Sequence, residues 1–312
     1  MQDVDARKLN TLYNSMGVDL LNCLEDKDVF EVIVNDNGLL WVDTFSKGRI
    51  CTNIALAEER RDKILCLVAD ATKQIVNEKH PMLEAELPDK SRFQGYYPRV
   101  VRSPAFTIRK HEVANLTLDD YVNAKIMTEK QKNFILEAIS NDWNILVSGA
   151  TKSGKTTLLN AIIEEIGKAD ERIITVEERM RELKATSKLG LSLCTSEHAT
   201  MLDLLKGLLR GTPDRIVMGE LRAGEAMDLL DLWNTGHGGC ASIHAKSAYL
   251  ALTRLEQMIL RVSVNPQKEL IGEMVDVVIH MARNGTGRII KEIIKVEGYD
   301  EKLGDYKYHY VK

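Results

Sequence analysis

The stretch Gly149-Ala150-Thr151-Lys152-Ser153-Gly154-Lys155-Thr156 decides the reading of this chain. It matches G-x-x-x-x-G-K-[ST], the P-loop spacing in which small residues let backbone N–H groups close on nucleotide phosphates. Before it, Asn144-Ile-Leu-Val-Ser148 is a short apolar run of strand length; after it, Leu158-Leu-Asn-Ala-Ile-Ile163 opens a helical pattern. Strand, Gly-rich turn and helix are the context that such a loop needs. The helix N-terminus adds partial positive charge to the loop amides. In this frame residues 149–157, Thr157 included, surround phosphate. Lys155 reaches the β- and γ-phosphates, and the Thr156 hydroxyl is the expected ligand of Mg2+.

Outward from the loop, apolar strands alternate with helical patterns. Residues 144–148, 172–176, 214–218 and 240–243 read as strands, and 155–167, 200–209, 223–234 and 247–262 as helices. Such alternation predicts an α/β domain with a mostly parallel sheet covered on both faces. The tail differs: 275–283 and 287–298 read as a hairpin about Asn284-Gly285, and 306–311 as a further edge strand. Thr128-Glu-Lys-Gln131 is a capping box that starts a helix to about Ser140. The domain is therefore set at 128–312 and residues 113–127 are read as a linker holding one short helix, with Thr117 and Asp120 as its capping pair.

Residues 1–112 read as a smaller α+β domain. Leu9, Leu12, Tyr13, Met16 and Leu20 recur at helical spacing over the first ~25 residues. Residues 29–34 and 39–42 flank the turn signal Asn35-Asp-Asn-Gly38 as a hairpin. Residues 57–77 form an amphipathic helix with Ile64, Leu67, Val68, Ala71 and Ile75 on one face. Pro81, Pro88, Pro98 and Pro104 then favour short strands, at 93–97, 99–102 and 105–109.

A length of 312 residues favours two domains over one core. The formal net charge of -4 gives no basic footprint, so direct sequence-specific nucleic-acid binding is not expected. Cys23, Cys51, Cys66, Cys194 and Cys240 contain no C-x-x-C pair, which leaves a Cys-rich zinc site unsupported and suits a reducing cytosol. The first residues do not read as a signal peptide, and no window holds 18 apolar residues.

Three further stretches end strands in ionisable groups. Ile173-Ile-Thr-Val-Glu177-Glu178 ends in two carboxylates, Arg215-Ile-Val-Met-Gly219-Glu220 in Gly-Glu, and Gly236-His237-Gly-Gly-Cys-Ala-Ser-Ile-His244 in histidine. In open α/β sheets ligands collect at the carboxyl ends of strands, so the three point at one cleft. Carboxylates there orient water or hold metal, and an imidazole polarises the γ-phosphate. Each also has a plainer reading: Glu177 and Glu178 as solvated caps, Glu220 as a surface partner of Arg222, His244 as a core histidine. His80, His111, His198, His280 and His309 read as surface or packing residues.

The order of P-loop, acidic box, Gly-Glu box and His box resembles the ATPases of the type II/type IV secretion superfamily. Leu209-Arg-Gly-Thr-Pro-Asp-Arg-Ile-Val-Met-Gly-Glu-Leu-Arg222, Trp233-Asn-Thr-Gly-His237 and Ser242-Ile-His-Ala245 carry the likeness. Asn37-Gly-Leu-Leu-Trp-Val42, Ala85-Glu-Leu-Pro88, Pro104-Ala-Phe-Thr-Ile-Arg-Lys110 and Leu116-Thr-Leu-Asp-Asp-Tyr-Val122 resemble its conjugative-transfer branch. The resemblance implies a RecA-like ATPase domain behind an N-terminal domain. It implies a hexameric ring at the cytoplasmic face of the inner membrane, peripheral to it, working with membrane and cytoplasmic components of the machine. Lys155 and Thr156 then belong to Walker A, Glu177 and Glu178 to the acidic box, Glu220 to Walker B and His244 to the His box. Arg92 and Arg109 match basic residues that approach the phosphates.

The resemblance implies an ATP- and Mg2+-dependent motor for pilus assembly or substrate transfer. A type IV pilus or type II secretion motor is the near rival, though the four-Cys zinc motif usual in type II assembly ATPases is absent here. A RecA-like DNA-binding ATPase and a low-turnover nucleotide-dependent scaffold are rivals of another class. Four residues depart from the family pattern: Lys152 for Gly, Glu178 for Asp, Thr212 for Arg and Gly238 for Pro. Lys152 adds charge beside the phosphates and restricts a permissive backbone position.

Overall fold

Leu12, Met16 and Leu20 stand four residues apart on the buried side of α1 (Gln2–Glu25). The computed structural model describes residues 2–44, 47–110, 116–178, 182–285 and 287–311, and the chain divides into two compact units, Met1–Glu112 and Val113–Lys312. The continuous N-terminal helix expected from spacing is interrupted at Gly17, whose φ of 63° leaves the helical region. Arg60 donates from Nε to the freed Ser15 carbonyl at 3.0 Å and from its terminal nitrogen to that of Met16.

In the first unit, β1 (Val29–Val34) and β2 (Leu39–Thr44) form the expected hairpin. β3 (Gly48–Ala55) is an edge strand that sequence reading misses, because it is half-exposed without clear alternation. α2 (Glu58–Ala71) stops six residues before the expected end. Lys73 turns to φ 56° and the Gln74 amide reaches back to the Ala69 carbonyl at 2.8 Å, leaving Ile75 on the surface. β4 (Met82–Glu86) was not expected either; β5 (Arg92–Tyr96) and β6 (Ala105–Arg109) were. Residues 99–102 form no strand, since Arg99 takes φ 102° in a turn. The six strands pair antiparallel in the order β3-β2-β1-β6-β5-β4. Buried Arg61 ties the hairpin turn to the approach of β6, donating to the carbonyls of Asn35, Asp36 and Pro104 and to Ser103 Oγ.

In the second unit, α3 (Leu118–Asn123) and α4 (Glu129–Ser140) start at the two capping boxes of Thr117/Asp120 and Thr128/Gln131. Residues 116–127 are not a free linker. Leu118, Tyr121 and Met127 are apolar and buried in one cluster with Ile135, Ile145 and Leu158. The remaining linker residues, 113–115, lie outside the described residues, as does His111.

β7 (Ile145–Gly149) leads through the Gly-rich loop into α5 (Lys155–Ile166). β8 (Ile173–Glu177), the short edge strand β9 (Leu191–Cys194), α6 (Met201–Leu208), β10 (Arg215–Leu221), α7 (Glu225–Asn234), β11 (Gly239–Ile243) and α8 (Ala248–Ile259) follow. α9 (Lys268–Met274) precedes β12 (Val277–Asn284), β13 (Gly287–Asp300) and β14 (Asp305–Tyr310). The sheet order is β14-β13-β12-β7-β11-β10-β8-β9; the strands from β12 to β9 run parallel, and the β12–β13–β14 pairings are antiparallel.

Alternation along the central strands divides the core. Ile145, Val147, Ile173 and Val217 pack with α4 and α5, whereas Leu146, Ile174, Ile216 and Met218 pack with α7 and α8. Both faces are thus covered, and near-continuous apolar runs such as Ile145-Leu-Val147 are what a doubly covered parallel strand requires. The carboxyl ends of β7, β8, β10 and β11 are left as the place where polar groups can gather.

Candidate functional site

The loop between β7 and α5 is built from two left-handed residues, Lys152 at φ 63° and Gly154 at φ 98°. Gly154 caps α5, and a Cβ on it would lie 3.0 Å from Arg288 Cδ on β13. The loop closes on itself through the Ser153 amide and the Ala150 carbonyl at 3.2 Å. Ser153 Oγ is buried without a hydrogen-bond partner. Thr156 and Thr157 occupy the first turn of α5, half-buried.

Lys155 is buried, and its ammonium faces three acceptors: the carbonyls of Gly149 and Ala150, each at 3.3 Å, and His244 Nδ1 at 3.2 Å. An ammonium has three N–H donors and no acceptor, so it donates in each of these contacts. His244 follows directly on β11, and its Nε2 pairs with Glu220 Oε1. A carboxylate only accepts, so Nε2 carries the proton and Nδ1 accepts from Lys155. The Gly149 carbonyl, 3.2 Å from Nδ1, is then a second acceptor on the same ammonium.

Glu220 owes its position to an irregularity. Met218 pairs with Ala241 and Leu221 with Ile243, so β10 carries one residue more than β11 over this interval. Such a bulge re-aims the side chains around it. Ser242 Oγ donates to the Gly219 carbonyl at 2.6 Å, and a Cβ at residue 219 would come 2.9 Å from Glu177 Cγ. Only glycine fits that approach.

The two acidic-box residues part company. Glu178, exposed just beyond β8, pairs with Arg222, which also binds Glu220. Glu177 is buried, and its Oε1 and Oε2 accept the Glu182 and Leu183 amides, each at 2.9 Å. The structure therefore brings Lys155, His244, Glu220, Arg222 and Glu178 into one connected set, with Glu177 bracing the segment after β8. The plainer readings of Glu220 and His244 are incomplete: Glu220 does pair with Arg222, but its other oxygen binds His244, and His244 joins the loop lysine.

Arg92 and Arg109 are cross-strand partners on β5 and β6 of the first unit. Arg215, at the start of β10, is buried between Glu171, at 2.6 Å from its Nε, and Asp142. It forms a structural ion pair at the amino end of the strand. Two residues near the loop escape sequence reading. Arg288 has no motif around it and reaches Gly154 only through the β12–β13 turn-back. His280 on β12, read as surface or packing, is buried with Nδ1 2.9 Å from Ser148 Oγ, one residue before Gly149. Burial pulls its pKa below the ordinary 6.5, opposed by Glu292 and assisted by Lys291.

Among the described residues, no group of three or more His, Cys, Asp and Glu side chains is arranged to hold a metal. The loop does fit a phosphorylated ligand: Ser153 Oγ lacks a partner, the Lys155 ammonium is poised at the loop, and the α5 N-terminus begins there.

A family model described as Type II/IV secretion system protein matches residues 21–296. The chain is 40% identical over 297 residues to the conjugal transfer protein TrbB of Rhizobium radiobacter, covering 94% of this chain and 91% of that one. It is 30% identical over 317 residues to the type IV secretion system protein VirB11 of Brucella suis, covering 86% of each. The solved structure of the ATPase DotB of Legionella pneumophila is 16% identical with a TM-score of 0.67, over 94% of this chain and 82% of that one, a likeness of fold. The four boxes in order and matches that span nearly all of the sequence agree: the chain belongs to the type II/IV secretion system protein family.

Proposed function

We propose that the chain is a Mg2+-dependent ATPase that drives a conjugative-transfer machine of the type IV secretion class. The observation that carries this reading is the connection from Lys155 through His244 to Glu220 at the carboxyl ends of three parallel strands. Relatives described as conjugal transfer and type IV secretion proteins supply the setting.

Bound Mg2+–ATP supplies the phosphoanhydride that water cleaves. The chain's own residues bind and orient it. Loop amides of residues 150–155 and Ser153 Oγ would donate to phosphate oxygens, and Lys155 would exchange its carbonyl partners for β- and γ-oxygens. Thr156 offers its hydroxyl to the metal, a sparse protein contribution of the kind Mg2+ tolerates. Glu220 holds the attacking water and receives its proton, and His244, held by Glu220, polarises the γ-phosphate. Glu178 is linked to Glu220 through Arg222, and Glu177 holds the β8 exit in shape without touching reacting atoms.

In this reading the second unit is a RecA-like domain and the first an N-terminal domain, with Arg92 and Arg109 neutralising charge on the phosphates, in the same protomer or a neighbour. The assembly is a hexameric ring in the cytoplasm, peripheral to the inner membrane, held there by other components of the machine. Among the described residues, no helix is long and apolar enough to cross a membrane.

The test is ATPase rate against protein concentration, with mass read by light scattering at each point. Activity that rises as a species near six protomers appears supports the reading, provided that Glu220→Gln abolishes it. A fully active monomer would remove the ring, and undiminished hydrolysis in Glu220→Gln would remove the catalytic assignment.

A further inference from the structure

Two carboxylates of the site, Glu178 beyond β8 and Glu220 near the end of β10, meet on one side chain. Arg222 Nε donates to Glu220 Oε2 at 2.9 Å, a second nitrogen stands 2.8 Å from the same oxygen, and the third, Nη1, contacts Glu178 Oε2. Glu220 is thereby divided: Oε1 faces His244 and Oε2 faces Arg222. A carboxylate gripped at both oxygens has its terminal torsion fixed. The backbone of Arg222 is held as well, its amide donating to Glu225 Oε1 at 2.6 Å and its carbonyl accepting from Arg261 at 3.3 Å.

We propose that Arg222 is a positioning residue that sets the orientation of Glu220 toward His244 and couples Glu178 to it. The proposal rests on the ATPase reading above and extends it to a residue that touches no reacting atom. Fork geometry explains the residue type. A guanidinium offers nitrogens in one plane at fixed spacing and can bridge two carboxylates, whereas an ammonium is a point charge that cannot fix two directions at once. Glu178 meets Arg222 from just beyond β8, the strand paired with β10.

Stability is not what this bridge supplies. The Arg222 and Glu178 side chains are 58% and 51% exposed, and solvent-screened pairs of that kind contribute little to folding. Loss of Arg222 should therefore leave the protein folded and change what Glu220 does. Without the guanidinium, Glu220 keeps only its His244 contact and is free to rotate, and Glu178 loses its link to the site.

The experiment compares full-length wild type, Arg222→Gln, Arg222→Lys, Glu178→Gln and the double variant Arg222→Gln/Glu178→Gln. It measures kcat and KM for Mg2+–ATP, affinity for a fluorescent non-hydrolysable ATP analogue, and the urea midpoint. Arg222→Gln is expected to lower kcat about 10- to 100-fold, the size of effect that misplacement of a reacting group produces. Analogue affinity is expected to stay within about twofold and the urea midpoint to stay put, because neither the phosphate cradle nor the core is touched. Arg222→Lys should recover only part of kcat, and the double variant should be no slower than Arg222→Gln, since Glu178 acts through the arginine. Unchanged kcat in Arg222→Gln overturns the proposal. So does a fall in analogue affinity that accounts for the lost kcat/KM, which would make Arg222 a ligand contact, or a fall in the urea midpoint that accompanies it. An inactive wild type overturns the ATPase reading and this proposal together; an active wild type indifferent to Arg222→Gln overturns this proposal alone.

Discussion

Nζ of Lys155 lies 3.2 Å from Nδ1 of His244, so the loop lysine and the histidine that closes β11 share a hydrogen bond. The contact joins residues 89 positions apart at the point where phosphate would enter. Lys155 and His244 are thus one unit, and changing either alters the setting of the other.

His244→Ala is expected to retain nucleotide binding and lose about 10²-fold in kcat, the range found when a positioned polar group at the reacting centre is removed. Lys155 keeps its two carbonyl partners in that variant. Steady-state hydrolysis alongside fluorescent-nucleotide titration separates the two effects. Undiminished turnover would take His244 out of the chemistry.

Glu177→Gln should destabilise the chain by about 1–3 kcal/mol, because an amide group then faces a backbone amide that needed an acceptor. The wild-type carboxylate accepts from both Glu182 and Leu183, and a glutamine can serve only one of them with its oxygen. Urea unfolding reads the loss. An unchanged midpoint together with lost turnover would instead favour Glu177 as a reacting group.

His280 gives a pH dependence of known sign. Burial lowers its folded pKa below 6.5, so the unfolded chain takes up a proton at a higher pH than the folded chain. Stability from this site is complete above pH 6.5 and is lost as pH falls through 6.5 toward the folded value. Glu292 opposes the shift and Lys291 assists it. Between about pH 8 and 5, the unfolding free energy of wild type should fall more steeply below pH 6.5 than that of His280→Asn, which lacks the titrating group. Parallel curves would show that His280 does not contribute.

Lys152 sits at φ 63°, where a side chain costs about 1–2 kcal/mol that glycine avoids. Lys152→Gly is expected to gain about 0.5–1 kcal/mol of stability after glycine's own entropic cost. It should weaken nucleotide affinity by removing one positive charge beside the loop. Urea unfolding and nucleotide titration test both signs; tighter binding in the variant would mean that Lys152 obstructs the cradle.

Long, strongly patterned segments of this protein are legible in sequence. The runs that became β7, β8, β10 and β11 are apolar on both faces, and the boxes at their ends announce Lys155, Glu220 and His244. Edge strands are not legible in the same way: β3 and β9 have no buried face to impose alternation. Helix ends depend on single backbone choices, as at Gly17 and Lys73, which hydrophobic period does not report. The division between Glu177 and Glu178 is also invisible in sequence. Adjacent carboxylates look alike until one is seen against backbone amides and the other against Arg222. His280 and Arg288 enter through strand pairing across more than a hundred residues, a distance at which local spacing carries no information.

The single surplus residue in β10 makes the link between Glu220 and His244 a matter of counting. Side chains on a strand alternate, so removing or adding one residue there would turn Glu220 away from His244 altogether. The spacing between these two groups therefore cannot drift by small steps. Substitutions can tune the site, but length changes in this strand would switch it off.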